Sequence, residues 1–550
     1  MRSSHTLRGG RLPAALALIG LALLGLLFVP ECDDCYFVYW SFDSLRDWLL
    51  TRPSTAGVEI VGVPENGRYL GNLLGVLQGK LYFIPVVGPI LRGVLMGGAL
   101  WALVYLLARR ARRGPVGRGE AFSMALALVL LAPRGIWQEA LSWGAGLVNY
   151  LLPMVILLVL LELFARRRPP SALLAGALAF CGCLFMETAT ILLAAGGCLC
   201  ALLFRHTDRR RAALGLWLGS WLGALVMFTA SGYRSGTNAD RRMDVSLALE
   251  HLRQIVTEAV VFPAAAALLI SVLLVWLAGK GGGRWRALAL ALVPLHLLQL
   301  WRAAENWLGE PRYDELSLGV GLALAAVWCL LLAQTRGTAP VWGAVLALGL
   351  LCGPLLFVTP IGPRNFLPPY VLLSLIALLL YREARKQGMP GLTRLAAPLS
   401  ALALAGLVWV YGCNCLVYHQ RLSYAREQAA AGAEHITLPL LPYDRWAINE
   451  TVGKGGHLLP GLPGGPLGRG LHLRPLGGIY GPLTGGRQKH QPSKGAQISW
   501  TSDQSRETPG CWRGWSGFPS ISWTRGAASC WTPACWGSGR SWSRPSWTTA

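Results

Sequence analysis

Long apolar runs separated by short polar segments recur along residues 12–411. In lipid the backbone must satisfy its own hydrogen bonds, so a run of about 20 apolar residues is typical of a transmembrane helix. The pattern predicts an all-α polytopic membrane protein with about thirteen transmembrane helices, in a range of eleven to thirteen. The predicted spans are residues 12–29, 86–107, 120–133, 147–165, 171–204 (as two short helices), 212–230, 257–278, 286–301, 317–334, 340–358, 367–381 and 395–411.

Composition supports a membrane environment. The 550 residues are 53% hydrophobic and 14% charged, whereas a soluble protein has about 25% charged residues. The net charge of +23 would suit a nucleic-acid-binding protein. However, the basic residues stand in short clusters between the apolar runs, as they do in cytoplasmic loops. The sequence therefore predicts the lipid bilayer as a partner and excludes nucleic acid.

The distribution of lysine and arginine predicts an orientation in the membrane. With the N-terminus in the cytoplasm and alternating spans, the inner segments up to residue 411 carry 23 Lys and Arg residues if Arg286 at the start of a span is included, and the outer segments carry 12 although they are longer. An excess of positive charge marks the cytoplasmic side. We therefore predict a multi-pass cell-membrane protein with three parts: a membrane domain (1–411) that includes a long first outer loop (30–85), a short extracytoplasmic segment (412–452), and a tail (453–550).

The tail has its own composition, rich in Gly, Pro, Ser, Thr, Arg and Trp and without a helical or strand period. Eight tryptophans fall within residues 500–550, whereas disordered regions are poor in aromatic residues. A folded domain would show Leu, Ile and Val at regular spacing. The pattern indicates either out-of-frame translation of a GC-rich gene or a disordered extracytoplasmic tail, and we assign it no function.

Two adjacent carboxylates, Asp33 and Asp34, directly follow the first span. Such a pair can hold a metal ion, act as a general base or orient a sugar hydroxyl, and ionisable groups at membrane depth are usually functional. The alternative is an acidic, solvated outer loop. The flanking Cys32 and Cys35 can form a disulfide, a redox pair or half of a metal site. Zinc is disfavoured, because no second cysteine or histidine pair accompanies them, whereas the need for a divalent cation stays open.

Several outer arginines are candidates for binding phosphate, because the guanidinium fork matches phosphate oxygens. They are Arg68 in the first loop, Arg234 and Arg241 in the loop after the seventh span, and Arg364 beside a proline at a later span boundary. The alternative is that they belong to ordinary basic loops or anchor the interface. Glu187 lies at the top of the short helical hairpin, where a lone carboxylate in an apolar run is costly without a partner or a function.

These features resemble the bacterial GT-C membrane glycosyltransferases, in particular O-antigen glucosyltransferase-like proteins and related uncharacterised polytopic proteins. The resemblance rests on the acidic pair after the first span, an amphipathic stretch in a long first outer loop (residues 42–50), a Gly-Arg-aromatic step at Arg68 and Tyr69, and the carboxylate at Glu187. It covers about residues 10–450. It departs from the pattern because cysteines flank the pair and no large soluble outer domain follows.

The resemblance implies transfer of a sugar from a polyprenyl-phosphate carrier to a glycan or lipid acceptor on the outer face. It implies that Asp33 or Asp34 is the general base, and that Arg68, Arg234, Arg241 and Arg364 bind the carrier phosphate. The predicted catalytic residues are therefore Asp33 and Asp34. The predicted substrate-binding residues are Arg68, Tyr69, Glu187, Arg234, Arg241 and Arg364.

Three other classes of protein remain as alternatives. A transporter or lipid flippase would carry charged residues near the bilayer midplane and internal repeats, and the in-span candidates are Arg92, Glu162 and His296. An O-antigen polymerase or ligase would carry a large late outer loop rich in Arg and His. A membrane protein without catalysis would tolerate charge-neutral changes at the acidic pair.

Overall fold

A computed structural model of the chain describes most of the membrane domain. The described residues are 11–31, 34, 66–82, 84, 86–112, 115–230, 233, 242–243, 245–279, 284–309, 311–335, 337–431, 435–438, 441–448, 472–475 and 497–500. The chain divides into two units, Met1–Thr501 and Ser502–Ala550, and every described residue lies in the first. Several predictions fall outside the described residues, namely those for Asp33, Cys32, Cys35, Arg234 and Arg241 and for the amphipathic stretch 42–50.

Fifteen α-helices of nine residues or more make up the described fold. In chain order they are α1 Arg11–Leu27, α2 Tyr69–Tyr82, α3 Val87–Ala111, α4 Arg118–Leu130, α5 Leu152–Phe164, α6 Ala172–Cys183, α7 Glu187–Leu203, α8 Arg210–Phe228, α9 Ala248–Val256, α10 Ala264–Ala278, α11 Arg284–Leu308, α12 Glu315–Gln334, α13 Ala339–Cys352, α14 Leu367–Lys386 and α15 Thr393–Ala430. Leu and Ala, strong helix formers, dominate these segments. Side chains cap the start of two helices, since Ser171 accepts from the Leu174 amide and Asp314 from the Ser317 amide.

Seven helices in the described part are long and apolar enough to cross a membrane, and the number rises to nine if two bent pairs each count as one span. Many large apolar side chains on these helices are exposed, for example Trp221, Leu330 and Leu402. A continuous apolar exterior is what lipid requires and what water disfavours. The chain is therefore an all-α membrane protein, as its hydrophobic pattern predicts.

Each of the thirteen predicted spans contains a helix, but several helices differ from the prediction in length. The predicted hairpin at 171–204 is present, with a break between α6 and α7 immediately before Glu187. The helices Ala14–Leu27, Ala172–Cys183 and Glu187–Leu203 are apolar but shorter than a full span. The last helix, predicted to end at residue 411, continues to Ala430. The count of thirteen thus stays a prediction.

Three π-helical turns interrupt the helices: π1 Trp137–Leu141, π2 Leu147–Leu151 and π3 Thr257–Val261. Short α-helical turns precede π1 and π2, at Arg134–Ile136 and Gly144–Gly146. The chain bends by 86° between Arg118–Leu130 and Arg134–Leu141, and by 66° between Val245–Val261 and Ala264–Ala278. Prolines explain both bends, because Pro133 and Pro263 have no amide N–H to continue the helix.

Polar contacts sort the helix ends into two groups. At one end, Glu162 near the end of α5 pairs with Arg109 near the end of α3, and Glu120 at the start of α4 accepts a hydrogen bond from Tyr381 near the end of α14. These residues lie in, or at the span ends next to, the segments predicted to lie inside. The segments predicted to lie outside meet at the opposite end, in the clusters described below. We refer to that opposite end as the loop-1 end, because Asp34 and Arg68 lie there.

Glycines allow two helix pairs to pack with their backbones in contact. A Cβ atom built at Gly97 of α3 would lie 2.5 Å from the Leu21 carbonyl oxygen of α1, and one at Gly25 of α1 would lie 2.4 Å from the Gly93 carbonyl oxygen. A Cβ at Gly219 of α8 would lie 2.1 Å from the Gly176 carbonyl oxygen of α6. Small residues are the common means of close helix packing in membranes.

The few strands are short. Strand β1 (Arg242–Met243) pairs antiparallel with β2 (Val358–Thr359). Strands β3 (His435–Leu438), β4 (His472–Pro475) and β5 (Gln497–Trp500) form a parallel sheet in the order β3-β5-β4. Two of these strands fall in the tail, where the sequence has no strand period. Four-residue pairing uses only backbone donors and acceptors, and so leaves little trace in the side-chain pattern.

The α1–α3 contact predicts a position-specific effect of alanine. We expect Gly97→Ala to destabilise the protein by about 1–3 kcal/mol, because the added methyl group overlaps the backbone of α1. The matched control is Gly98→Ala, since no atom lies within 4 Å of that Cβ position and alanine favours the helix. Thermal unfolding in detergent measures both, and equal melting temperatures for the two variants would contradict the contact.

Candidate functional site

Asp34 is a fully bonded carboxylate at the loop-1 end, with an exposure of 1%. Its Oδ1 accepts hydrogen bonds from Gln78 Nε2 at 2.9 Å and from the Ala145 amide at 2.8 Å. Its Oδ2 lies 3.0 Å from Arg92 Nη2 and accepts from the Gly144 amide at 3.0 Å. A carboxylate offers about four lone-pair positions, so these four donors use all of them.

The local sequence explains why Asp34 is held in this way. The helical segment that begins at Gly144 is preceded by Trp143, whose indole cannot accept hydrogen bonds from the first amides. Asp34 supplies that acceptor from another part of the chain, at the positive end of the helix dipole. Arg92 completes the arrangement, because it also donates to the Phe28 carbonyl oxygen at 2.5 Å, just beyond α1. One ion pair thus joins α1, α3 and the segment that leads into α5.

The bonding of Asp34 bears on the predicted catalytic role of the acidic pair. Burial raises the pKa of Asp34, whereas Arg92 and the amides of Gly144 and Ala145 act in the opposite direction. To take a proton from a substrate, Asp34 would have to give up one of its four donors. We therefore assign Asp34 an anchoring role, and the catalytic prediction for the pair depends on Asp33.

Arg68 and Glu187, both predicted to bind substrate, form an ion pair. Arg68 Nε donates to Glu187 Oε1 at 3.2 Å, and Nη2 donates to Oε2 at 2.6 Å. Tyr233 donates to the same Oε1 at 2.5 Å, and the guanidinium carbon lies 5.8 Å from the centroid of the Tyr150 ring. Burial disfavours the Arg68 cation, but Glu187 and the two tyrosines raise its pKa overall. Arg68 therefore stays charged.

Short polar and small residues position Arg68. Asn66 Oδ1 accepts hydrogen bonds from the Arg68 amide and from Asn72 Nδ2, each at 3.1 Å. A Cβ atom at Gly67 would lie 2.1 Å from the Met227 carbonyl oxygen, so only glycine fits between Asn66 and Arg68. Tyr69, the remaining predicted residue of this step, is buried at the start of α2.

Arg364 lies beside Glu139, a residue absent from the predicted site. The Arg364 amide donates to Glu139 Oε2 at 3.4 Å, and Arg364 Nη1 lies 3.7 Å from the same oxygen. The Arg364 guanidinium lies 5.8 Å from the centroid of the Trp143 ring, and Trp143 Nε1 donates to the Glu31 carbonyl oxygen at 3.2 Å. This cluster therefore adjoins the Asp34 cluster.

A second carboxylate, Glu258, interacts electrostatically with Glu139 of this cluster. The predicted site does not include Glu258 either. Tyr313 donates to Glu258 Oε1 at 2.7 Å. The negative charge of Glu139 and the positive charge of Arg134 both act on Glu258. Glu139 and Glu258 lie on the π-helical turns π1 and π3, which are rare and often occur at functional sites. The available sequence signal is a glutamate within about six residues of a proline in an apolar run, at Pro133 and Pro263.

No protein-family model, curated protein or solved structure matches the chain. Among the described residues, no group of three or more His, Cys, Asp or Glu side chains is placed to hold a metal ion. Among the carboxylate–arginine pairs at the loop-1 end, three include a residue of the predicted site. They are Asp34–Arg92, Glu187–Arg68 and Glu139–Arg364.

The Asp34–Arg92 pair predicts a loss of stability that is independent of catalysis. We expect Asp34→Asn to lower the free energy of unfolding by about 3–5 kcal/mol, because it leaves a buried arginine without a counter-charge. Asp208→Asn, at an exposed turn, should stay within about 0.5 kcal/mol of the wild type. Denaturation in detergent measures both, and similar values for the two variants would contradict the anchoring role.

The shifted pKa of Glu31 predicts how the free energy of unfolding changes with pH. Burial raises its pKa to about 8, against a smaller opposite effect of the Ile448 amide, which donates to Glu31 Oε2 at 2.6 Å. The folded state therefore binds this proton more tightly than the unfolded state, where the pKa is about 4.3. The stabilising contribution is complete below about pH 4.3 and is lost as the pH rises through about 8.

We accordingly expect the melting temperature of the wild type to fall between pH 5 and pH 9, and Glu31→Gln to reduce that fall. Glutamine keeps an acceptor for the Ile448 amide but does not ionise. The control is Glu427→Gln, which changes an exposed glutamate and should leave the pH dependence as it is. Parallel curves for wild type and Glu31→Gln would show that Glu31 does not titrate in this range.

Proposed function

We propose that the protein is a membrane glycosyltransferase that moves a sugar from a polyprenyl-phosphate donor to a cell-envelope glycan or lipid acceptor. The reaction would take place at the loop-1 end of the helical bundle. The proposal includes about thirteen spans in a GT-C-like arrangement, with the N-terminus in the cytoplasm and the loop-1 end facing outward.

The observation that carries the proposal is the meeting of paired arginines and carboxylates at one end of a bundle with an apolar exterior. A polyprenyl donor has the matching form, because its tail is soluble only in lipid and its phosphate and sugar lie at the membrane boundary. Arginine is suited to bind the phosphate, and a carboxylate is suited to take the acceptor proton. Both kinds of side chain lie together at this end.

Arg68 is the phosphate-binding residue that the geometry supports best. Its Nε and Nη2 atoms face Glu187, and no hydrogen bond from Nη1 to another described residue is present, so Nη1 can donate to a phosphate oxygen. Glu187 and Tyr233 hold the guanidinium in place, which lowers the entropic cost of binding. In the proposal, Arg364 and the two arginines outside the described residues, Arg234 and Arg241, add positive charge for the same phosphate.

The chemistry of the leaving group is consistent with arginines that bind the phosphate and one carboxylate that acts as the base. A phosphate already carries negative charge and needs little acid catalysis when its bond to the sugar breaks. Fixed positive charges that stabilise the departing phosphate, together with one base for the acceptor, therefore suffice. In the proposal, any divalent cation would act on the same phosphate.

A transporter or lipid flippase is the second candidate, and the bent helices favour it. Broken helices whose ends meet buried charges are typical of transporter substrate sites. The chain has two such breaks, with bends of 86° and 66°, and the buried Glu258 lies next to the second. The two candidates differ in chemistry, because a transporter leaves the bond between sugar and phosphate intact.

Sugar transfer in membranes that contain the full chain tests the proposal. Radiolabelled polyprenyl-phosphate hexoses are supplied, and incorporation into envelope glycan or lipid is measured. We expect transfer by the wild type, and we expect Arg68→Ala to lower kcat/KM about 10- to 100-fold, the effect of losing a charged hydrogen bond. The control is Arg312→Ala, because Arg312 is 65% exposed and should be dispensable.

Two results would count against the proposal. Absence of transfer from every donor, with the wild type stably expressed, would contradict the glycosyltransferase and favour the transporter. Transfer that is equal in Arg68→Ala and Arg312→Ala would keep the enzyme class and remove Arg68 from its site.

A further inference from the structure

Two bent helical segments bring one glutamate each to the loop-1 end. Glu139 lies on π1, after the 86° bend, and Glu258 lies on π3, before the 66° bend. Pro363–Phe366, a 3-10 turn that carries Arg364, packs against both π-helical turns. Residues from three distant parts of the chain therefore meet at a small charged site that also contains Arg134 and Tyr313.

Glu258 is incompletely bonded although its exposure is only 2%. Tyr313 satisfies Oε1, whereas Oε2 is buried and has no hydrogen-bond partner among the described residues. A buried polar atom without a partner costs about 1–3 kcal/mol, and more if it is charged. Such a cost at a helix break indicates a functional carboxylate rather than a packing residue.

A hydrogen-bond network holds the turn that carries Glu258. Gln299 Nε2 donates to the Val260 and Val261 carbonyl oxygens at 2.9 and 3.0 Å. Gln299 Oε1 accepts from His296 Nδ1 at 2.6 Å, which leaves His296 Nε2 to accept from Ser271 at 2.7 Å. The backbone carbonyls that the bend releases are thus satisfied by a side chain, and the position of Glu258 is fixed.

Glu139 is the more accessible of the two carboxylates. Its side chain is 21% exposed, and Arg364, at 27%, is its neighbour at 3.7 Å. Asp34 offers the opposite case, because it is buried and all of its lone pairs are used. Among the described carboxylates of the loop-1 end, Glu139 combines access, an adjacent arginine for a phosphate, and a second carboxylate behind it.

We propose that Glu139 is the catalytic base of the transferase, and that Glu258, the buried carboxylate beside it, is a positioning residue that favours binding of a proton by this pair of carboxylates. The inference rests on the proposed function, and it assigns the base to Glu139 in place of the predicted Asp33 or Asp34. Glu139 takes the proton of the acceptor hydroxyl, whose oxygen forms a bond to C1 of the sugar. The bond between C1 and the phosphate oxygen breaks, and its electron pair leaves with the polyprenyl phosphate beside Arg364.

The first test compares Glu139→Gln with the wild type in the full chain in membranes. We expect transfer to the hydroxyl acceptor to fall about 10²- to 10⁴-fold, the usual contribution of general base catalysis. Binding of the polyprenyl-phosphate hexose should change less than about threefold, and Glu139→Asp should keep part of the activity. The matched control is Glu250→Gln, an exposed glutamate on α9, which should transfer at the wild-type rate.

Transfer of the sugar to azide distinguishes a catalytic base from a structural residue. Azide attacks C1 as an anion and has no proton to lose. We therefore expect Glu139→Ala to form the glycosyl azide from the same donor at close to the rate at which the wild type forms it. We expect Glu258→Gln to slow transfer to the hydroxyl acceptor and to leave the azide reaction unchanged. A misfolded variant would lose both reactions.

The outcomes distinguish the inference from the proposed function. If the wild type transfers no sugar to any acceptor, the glycosyltransferase and its base are both refuted. If the wild type transfers sugar and Glu139→Gln is within threefold of it, the glycosyltransferase stands and Glu139 is not the base. Loss of both reactions in Glu139→Ala would show a structural role for Glu139 and would overturn the inference.

Discussion

The buried ion pair between Asp34 and Arg92 fixes the geometry of the whole loop-1 end. Neither charge has access to water, and each is compensated by the other and by backbone groups. Because Asp34 also occupies the start of the segment that leads into α5, the pair determines where Trp143 lies. Trp143 in turn contacts Arg364 beside Glu139. The candidate catalytic residues therefore depend on a charge pair that is itself too enclosed to react.

The hydrophobic pattern was sufficient to predict the helices but only one of their interruptions. The break before Glu187 was predictable, because a carboxylate interrupts an apolar run, residues 171–204, that is long enough for two short helices. The continuation of α15 to Ala430 was not, because polar residues beyond the span length are read as loop although a helix can continue into water. The π-helical turns were missed for a related reason, since one extra residue in a turn leaves the apolar composition unchanged.

The candidate site was predictable in part. Arg68, Glu187 and Arg364 were predicted because charged residues are rare in an apolar chain, and the structure places Arg68 against Glu187. The role of Asp34 depends on Gly144 and Ala145, which are about 110 residues away along the chain and carry no side-chain signal. Glu139 and Glu258 become candidates because they lie in one site. Pro133 and Pro263 mark the two bends in the sequence, but the sequence does not show that the two bent segments meet.

The network around Gln299 has a mechanical consequence. A helix bend with exposed carbonyls can act as a hinge, because water exchanges freely with the hydrogen bonds that change. At Val260 and Val261 the partner is instead a buried side chain, held by His296 and Ser271. Straightening or further folding of this bend would break two hydrogen bonds with no water to replace them. The elbow between π3 and α10 is therefore rigid, and large rocking motions must pivot elsewhere in the bundle.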